Sequence, residues 1–350
     1  MKIGKRDVAA GFRPYLIAEM SGNHNRSLER ALAIVDAAAA AGADALKLQT
    51  YTADTMTLDL RAPGFVIEDP ASPWAGRQLY ELYREAATPW EWHRPILERA
   101  RSLGMDCFST PFDETAVDFL EELGVPAYKI ASFECTDHAL IRKVAATGKP
   151  LILSTGMATV AEIDEAVRAA RGAGCRDLVL LKCTSTYPAT PVDSNVRSVP
   201  ALRELFAAEV GLSDHTLGCG AAIAAVALGA TVVEKHFTLR RAEGGVDAAF
   251  SLEPEEFRML RDETERAWQS LGQVRFGTSR AESGSVQFRR SLYVVRDVAA
   301  GETLTPTNVR AIRPGYGLAP KHLVEVLGCR AGVAIAAGTP LSWDLLRAAA

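Results

Sequence analysis

The stretch "TVVEKHFT" (231–238) begins as an apolar β-strand and ends in three ionisable side chains. "EVGLSDH" (209–215) has the same form, an apolar approach that runs into a histidine. Six more segments read as strands: "YLIAEM" (15–20), "ALKLQT" (45–50), "DCFSTPF" (106–112), "AYKIAS" (127–132), "PLILST" (150–155) and "LVLLKCTS" (178–185). Between them lie amphipathic, Ala-rich stretches such as "SLERALAIVDAAAAAG", "DETAVDFLEELG" and "TVAEIDEAVRAARGAG". These open at Ser, Thr or Asp and close at Gly, as capped helices do. Eight strand–helix alternations predict an α/β fold of the (β/α)8 TIM-barrel type. A doubly wound open sheet is the alternative, but no G-x-G-x-x-G follows the first strand.

Two segments break the rhythm. Residues 52–87 form a long connection containing "RAPGFVIEDPASPWAGRQLYELY", and connections of that length are often functional loops over a site. The second break is "LGQVRFGTSRAESGSVQF" (271–288), which is polar and rich in Gly and Ser. Beyond it short strands and turns replace the helices. The expected division is a barrel over 1–272, a linker over 273–288 and a small β-rich domain over 289–350. Within the last, "AAGETL" and "AAGTPL" read as two copies of one turn.

The 350 residues are 48% hydrophobic and 23% charged, which suits a globular chain with a full core. A net charge of -4, with no basic run, gives nucleic acid no purchase. No apolar run reaches the roughly 18–20 residues needed to span a membrane, and the N-terminus lacks the apolar core of a signal peptide. The six cysteines are scattered without a CxxC pair. They read as small buried hydrophobes in a reducing, cytoplasmic setting.

In a barrel, chemistry collects where the strands finish. Here the strand ends carry Glu19, Lys47 with Gln49, Ser109 with Thr110, Lys129 with Ser132, Ser154 with Thr155, Lys182 with Thr184, Ser213 with His215, and Lys235 with His236. One polar strand end is unremarkable, whereas eight on one face point to a site. Lys47, Lys129, Lys182 and Lys235 come from alternate strands, and four cations converging on one cup require an anion such as phosphate or carboxylate. The competing reading is a single desolvated lysine that forms a Schiff base. His215 and His236 end neighbouring strands and suggest a divalent metal, with Mn²⁺, Fe²⁺ or Zn²⁺ suiting such ligands better than Ca²⁺. His24 is open between a third member and a loop-stabilising role. His93, His138 and His322 are expected at the surface or at helix caps. Strand alternation puts Glu234 on the side of His236 and Lys235 on the other, so Lys235 reads as a structural partner for a carboxylate.

These residues are recognisable as a set. "IAEMSGNHNRSLERALAIVDAAAAAGADALKLQTYTADTMTLD", "FSTPFDETAVDFLEELGVPAYKIAS", "LSTGMAT", "CTSTYPA", "GLSDHT" and "EKHFTL" resemble the sialic acid synthase family, over nearly the whole chain and in order. The tail, with "IRPGYGL", resembles the family's antifreeze-like (SAF, β-clip) domain. "SGNHN" with "LKLQTYTADTMTLD" is most similar to the pseudaminic acid synthase branch. The resemblance implies a metal-dependent condensation of phosphoenolpyruvate with an amino-sugar aldehyde. For this branch the sugar is 2,4-diacetamido-2,4,6-trideoxy-L-altrose, and the products are pseudaminic acid and phosphate. It implies that His215 and His236 hold Mn²⁺, with Mg²⁺ or Co²⁺ in its place, and that Glu19 lies beside them as a proton acceptor. Lys47, Thr110, Lys129, Ser132 and Ser213 would grip phosphoenolpyruvate, and Gln49, Tyr187 and Asp247 would face the sugar. Glu134 and Thr184 complete the implied substrate-binding set. Arg313 would reach an N-acetyl group from the partner subunit of a domain-swapped homodimer.

Ser185 stands where the sialic branch tends to carry Asn, and Cys135 stands where a polar residue is expected. The 52–87 loop transfers least and is expected to help choose the sugar. N-acetylneuraminate or legionaminate synthesis remains an alternative. So do a Schiff-base aldolase using Lys129 or Lys182, and a non-catalytic sugar-binding or antifreeze-type protein.

Overall fold

The computed structural model describes residues 1–347. Eight parallel strands close into a barrel. They are β1 (Tyr15–Glu19), β2 (Ala45–Thr50), β3 (Asp106–Pro111), β4 (Tyr128–Ile130), β5 (Leu151–Ser154), β6 (Leu178–Cys183), β7 (Glu209–Asp214) and β8 (Val232–His236). Each falls within one of the eight predicted segments. The helices that alternate with them are α1 (Leu28–Ala41), α2 (Trp90–Ser102), α3 (Glu114–Leu123), α4 (His138–Ala145), α5 (Val160–Gly172), α6 (Ser198–Phe206), α7 (Gly220–Ala227) and α8 (Pro254–Leu271).

Local chemistry sets these elements. Ser27 accepts a hydrogen bond from the Arg30 N–H to start α1, and Gly42 ends it at φ 88°. Along α1, Ala31, Ile34, Val35 and Ala38 recur at helical spacing and are all buried. Thr159 and Glu162 form a reciprocal capping box at the start of α5. His93, expected at the surface or at a helix cap, is instead buried within α2: it lies one turn before Ile96 and Leu97 on the helix's inner face. Its ring bridges Thr50 Oγ1 at 2.8 Å and the Pro89 carbonyl at 3.2 Å.

The opening stretch closes the barrel. β8 pairs with β1, so that His236 stands opposite Glu19, and with β7, so that Glu234 stands opposite Ser213. Register partners share a face and successive residues alternate. Glu19, Ser213, Glu234 and His236 therefore turn inward, whereas Lys235 and its partner Asp214 turn outward. β7 and β8 approach closely at Gly211, where a Cβ would meet the Val232 carbonyl at 2.2 Å.

The 52–87 connection contains two short helical segments, Ala53–Met56 and Leu79–Ala86. Among the described residues no helix is long and apolar enough to cross a membrane. All six cysteines are free.

The chain divides into two compact units, the second starting at Gln273. That unit has its own core of Leu292, Val294, Val298, Leu304, Val309, Val326, Ala331, Ile335 and Leu341. β9 (Ser291–Val294) pairs antiparallel with β10 (Val309–Ile312), and β11 (Arg330–Ala331) with β12 (Leu346–Arg347). The two predicted turn copies match in conformation. Gly301 and Gly338 have φ of 82° and 87°, and the residues ahead of them, Val298 and Ile335, exchange backbone hydrogen bonds.

Candidate active site

The inward residues at the strand ends line one cup: Glu19, Lys47, Gln49, Thr110, Lys129, Ser132, Ser154, Cys183, Tyr187, Ser213, His215, Glu234 and His236. At its floor Lys47 Nζ lies 2.5 Å from Glu19 Oε2 and donates to Thr110 Oγ1 at 3.1 Å. Lys129 Nζ donates to Glu234 Oε1 at 3.3 Å, and Ser213 Oγ donates to the same oxygen at 3.3 Å. Lys47 is 3.7 Å from that atom as well. One carboxylate thus sits between two buried ammonium groups. Burial alone would raise the Glu234 pKa, but Lys129 and Lys47 outweigh it and hold it low. Glu19 shows the reverse balance: burial dominates and pushes it up to about 7.

Only two of the four lysines converge. Lys182 precedes the inward Cys183 by one residue and therefore points away, donating to the Cys183 carbonyl at 2.7 Å. Lys235 donates to Asp214 Oδ2 at 3.0 Å, to the Gly218 carbonyl at 2.8 Å and to the Thr216 carbonyl. It is the structural partner of a carboxylate. The cup therefore holds fewer cations than a count of strand-end lysines suggests, because period-2 alternation sends half of them outward.

His215 and His236 have ring centroids 5.3 Å apart. The Thr184 carbonyl lies 2.9 Å from His215 Nδ1, which fixes that nitrogen as a donor and makes Nε2 the one that would ligate in the neutral ring. Burial would lower His215, but contact with Cys183 and the Thr184 carbonyl outweighs it, so its pKa is raised. Burial, followed by the positive charges of His215 and Lys47, drives His236 well below its usual value, so its ring is neutral. His236 Nδ1 is buried without a hydrogen-bond partner, 3.8 Å from Asp247 Oδ2. Glu234 Oε2 is likewise buried without a partner.

The orphaned His236 Nδ1 and Glu234 Oε2 fit a divalent cation. His215 would join them through Nε2 once a bound cation displaces its proton, which makes a suitable donor set. Among the described residues no group of three or more His, Cys, Asp and Glu is placed to hold a metal ion by itself. A cation held here would need water or substrate oxygens as further ligands, as open catalytic sites do.

Other expected residues fall at varying distances. Gln49 Nε2 donates to Glu19 Oε1 at 2.9 Å and to Ser21 Oγ at 3.1 Å, and Ser21 bonds to Asp247. Gln49 and Asp247 are thus linked through Ser21. Tyr187 packs on His215 with centroids 4.5 Å apart. The Ser132 hydroxyl accepts the Gly156 N–H at 3.1 Å. Glu134 is raised to about 7 by burial and keeps Oε2 without a partner. The Thr184 hydroxyl turns away to the Asp193 carbonyl at 3.0 Å, so this residue meets the site through its backbone. Cys135 packs in the barrel core. Arg313 is exposed in the second unit, directly after β10. His24 resolves as a loop-stabilising residue: it faces the Ala86 carbonyl at 3.2 Å, accepts the Arg26 N–H at 3.1 Å and meets Trp92 edge-on.

The expected ligand set left out Ser154, read as a polar strand end, and Glu234, read as sharing the face of His236. It also omitted Ser21, Cys183, Phe250 and Trp74, which carry no signal in isolation.

A closed (β/α)8 barrel with ammonium groups and paired imidazoles at its C-terminal mouth defines a barrel enzyme that handles small anionic substrates. The chain belongs to the NeuB family, whose model matches residues 34–276, and a SAF domain follows over 289–347. It is 44% identical to the pseudaminic acid synthase of Campylobacter jejuni over 93% of this chain and 95% of that one. It is 42% identical to the pseudaminic acid synthase of Helicobacter pylori, over 95% and 97% of the two chains. Among solved structures, the N-acetylneuraminic acid (sialic acid) synthetase of Leptospira borgpetersenii superposes with a TM-score of 0.73 at 30% identity, over 83% of this chain and 95% of that one.

Proposed function

We propose that this chain condenses phosphoenolpyruvate with 2,4-diacetamido-2,4,6-trideoxy-L-altrose and water to give pseudaminic acid and phosphate. The observation that carries the reaction is the pairing of Lys47 and Lys129 around Glu234, next to His215 and His236. The choice of sugar rests on the similarity to the two pseudaminic acid synthases.

Lys47 and Lys129, with Thr110, Ser132 and Ser213 as neutral donors, would take the phosphate and carboxylate of phosphoenolpyruvate. C3 forms a bond to the aldehyde carbon, water adds to the cationic C2, and the tetrahedral product breaks its C–O bond to release phosphate. Glu19, with a pKa near neutrality, suits the proton acceptor for that water. Gln49, held between Glu19 and Ser21, and Asp247 would orient the sugar hydroxyls. His215 and His236 would hold the divalent cation, Mn²⁺ first and Mg²⁺ or Co²⁺ in its place. Such a cation supplies Lewis-acid polarisation of the aldehyde oxygen.

A cytoplasmic, domain-swapped homodimer in which Arg313 serves the partner's barrel completes the proposal, and light scattering tests the dimer. One observation favours a second reading: burial lowers the pKa of Lys129, as a Schiff-base lysine requires. Phosphate release from phosphoenolpyruvate, measured over a panel of hexosamine aldehydes with and without EDTA, decides between them. The condensation requires release that EDTA abolishes. EDTA-resistant turnover with borohydride trapping of Lys129 would replace it with the aldolase, and no release with any aldehyde would end the enzyme reading.

A further inference from the structure

Trp74 anchors the 52–87 connection to the barrel mouth. Its indole Nε1 donates to the Val246 carbonyl at 2.8 Å, one residue before Asp247. Its ring centroid lies 5.7 Å from Tyr187 and 6.3 Å from Phe250, and those two rings are 5.3 Å apart. Phe250 in turn lies 4.9 Å from His236 and 6.3 Å from His215. An aromatic wall therefore runs outward from the histidine pair. It meets a mouth that is otherwise polar, through Glu19, Gln49, Ser21 and Asp247.

The wall has a directional consequence. The open cup has inner space of only about 60 Å³, room for a few waters by the usual measure of roughly 10–15 Å³ each. A six-carbon aldehyde must therefore keep its reacting end at the histidines and extend its far end into the mouth. Going outward from His215, the aromatic contacts lead to Tyr187 and then to Trp74. The only polar side-chain atom of Trp74 is spent on the Val246 carbonyl, so its ring faces offer contact without a hydrogen-bond partner. A methyl group gains there, and a hydroxyl loses its water for nothing.

We propose that Trp74 is a specificity-determining residue: with Tyr187, and backed by the buried Phe250, it receives the C6 methyl end of the sugar and selects a 6-deoxy over a 6-hydroxy aldehyde. The inference rests on the condensation proposed above. Hydrophobic pockets discriminate such differences by about 10–200-fold.

The test is kcat/KM for 2,4-diacetamido-2,4,6-trideoxy-L-altrose and for its 6-hydroxy counterpart, with Mn²⁺ and saturating phosphoenolpyruvate. The wild-type protein should prefer the 6-deoxy sugar. Trp74→Ala should reduce that preference about 10-fold or more, chiefly through KM for the sugar, with KM for phosphoenolpyruvate held. Trp74→Phe should keep most of the preference, and Trp74→Gln should move it toward the hydroxylated sugar. A preference unchanged in Trp74→Ala and Trp74→Gln would overturn the assignment. Wild-type turnover of other hexosamines but of neither test sugar would overturn it too, while leaving the condensation chemistry standing. Turnover of no aldehyde at all would remove the condensation and this inference together.

Discussion

Lys129 Nζ stands 3.3 Å from Glu234 Oε1, and both side chains are closed to solvent. Lys47 lies 3.7 Å from the same oxygen, so Glu234 is the counter-ion that lets two ammonium groups share the barrel floor. Removing one member of a buried pair costs about 3–5 kcal/mol, because the partner is left uncompensated. Glu234→Gln should lose about 3 kcal/mol in urea unfolding, and inorganic phosphate should restore more stability to the variant than to the wild type. No stabilisation of either protein by phosphate would show that the lysines do not form an anion site.

His236 contributes little to the core, since it ends a strand at the mouth. The physical argument for it as a ligand is a neutral ring with a buried, unpartnered Nδ1. His236→Ala should weaken Mn²⁺ binding about 100-fold or more, a loss at least as large as that for groups that merely orient ligands. Unfolding free energy should change by about 1 kcal/mol. Calorimetric titration with Mn²⁺ checks this, and unchanged affinity removes His236 from the ligand set.

The barrel was legible because its signals are local. Strand length and polar strand ends each recur eight times, capped helices such as α1, α3, α4 and α5 support them, and no single one had to be right. The site was legible only as far as alternation was applied to it. Lys182 and Lys235 have the right residue type at a strand end, but they sit on the outward parity, where Lys235 meets Asp214. Glu234 was placed on the face of His236 but given no role, because a carboxylate beside lysines looks like any ion pair until the fold brings Lys47 and Lys129 to it from distant strands. The Trp74 wall depends on contacts between a loop and residues more than 100 positions away, which no local pattern encodes.

Glu19 gives the activity a pH limb. Its pKa is raised from 4.5 to about 7 by burial, and a proton acceptor works only when ionised. Turnover should therefore rise through pH 7 and level off above it. Glu19→Gln should lower kcat by roughly 10²–10⁴-fold and remove that limb. A variant that keeps the limb assigns it to another group.

Asp214 and Lys235 separate structure from chemistry. Their pair is 3.0 Å long, fully buried, and on the outer face of β7 and β8. Lys235→Ala should cost about 3–5 kcal/mol of stability. The protein that remains folded should keep KM for phosphoenolpyruvate, whereas Lys47→Ala should raise it strongly. Loss of phosphoenolpyruvate affinity in Lys235→Ala at full stability would return Lys235 to the cup.

His93 should make the fold acid-sensitive well away from the site. It is buried under α2 against Thr50 and Pro89, and burial lowers its pKa from 6.5 to about 4. A histidine with a depressed folded-state pKa stabilises as the neutral ring, fully above the unfolded value of 6.5. That stability is lost as pH falls toward 4, since the unfolded chain takes the proton first. Between pH 7.5 and 5 the loss from this group comes to about 2 kcal/mol. His24, also lowered by burial to about 4, should add a similar amount. Urea unfolding at the two pH values measures the sum, and His93→Gln, which can still bond to Thr50, should flatten the dependence by about 2 kcal/mol. An equally steep loss in that variant would place the proton uptake on other groups.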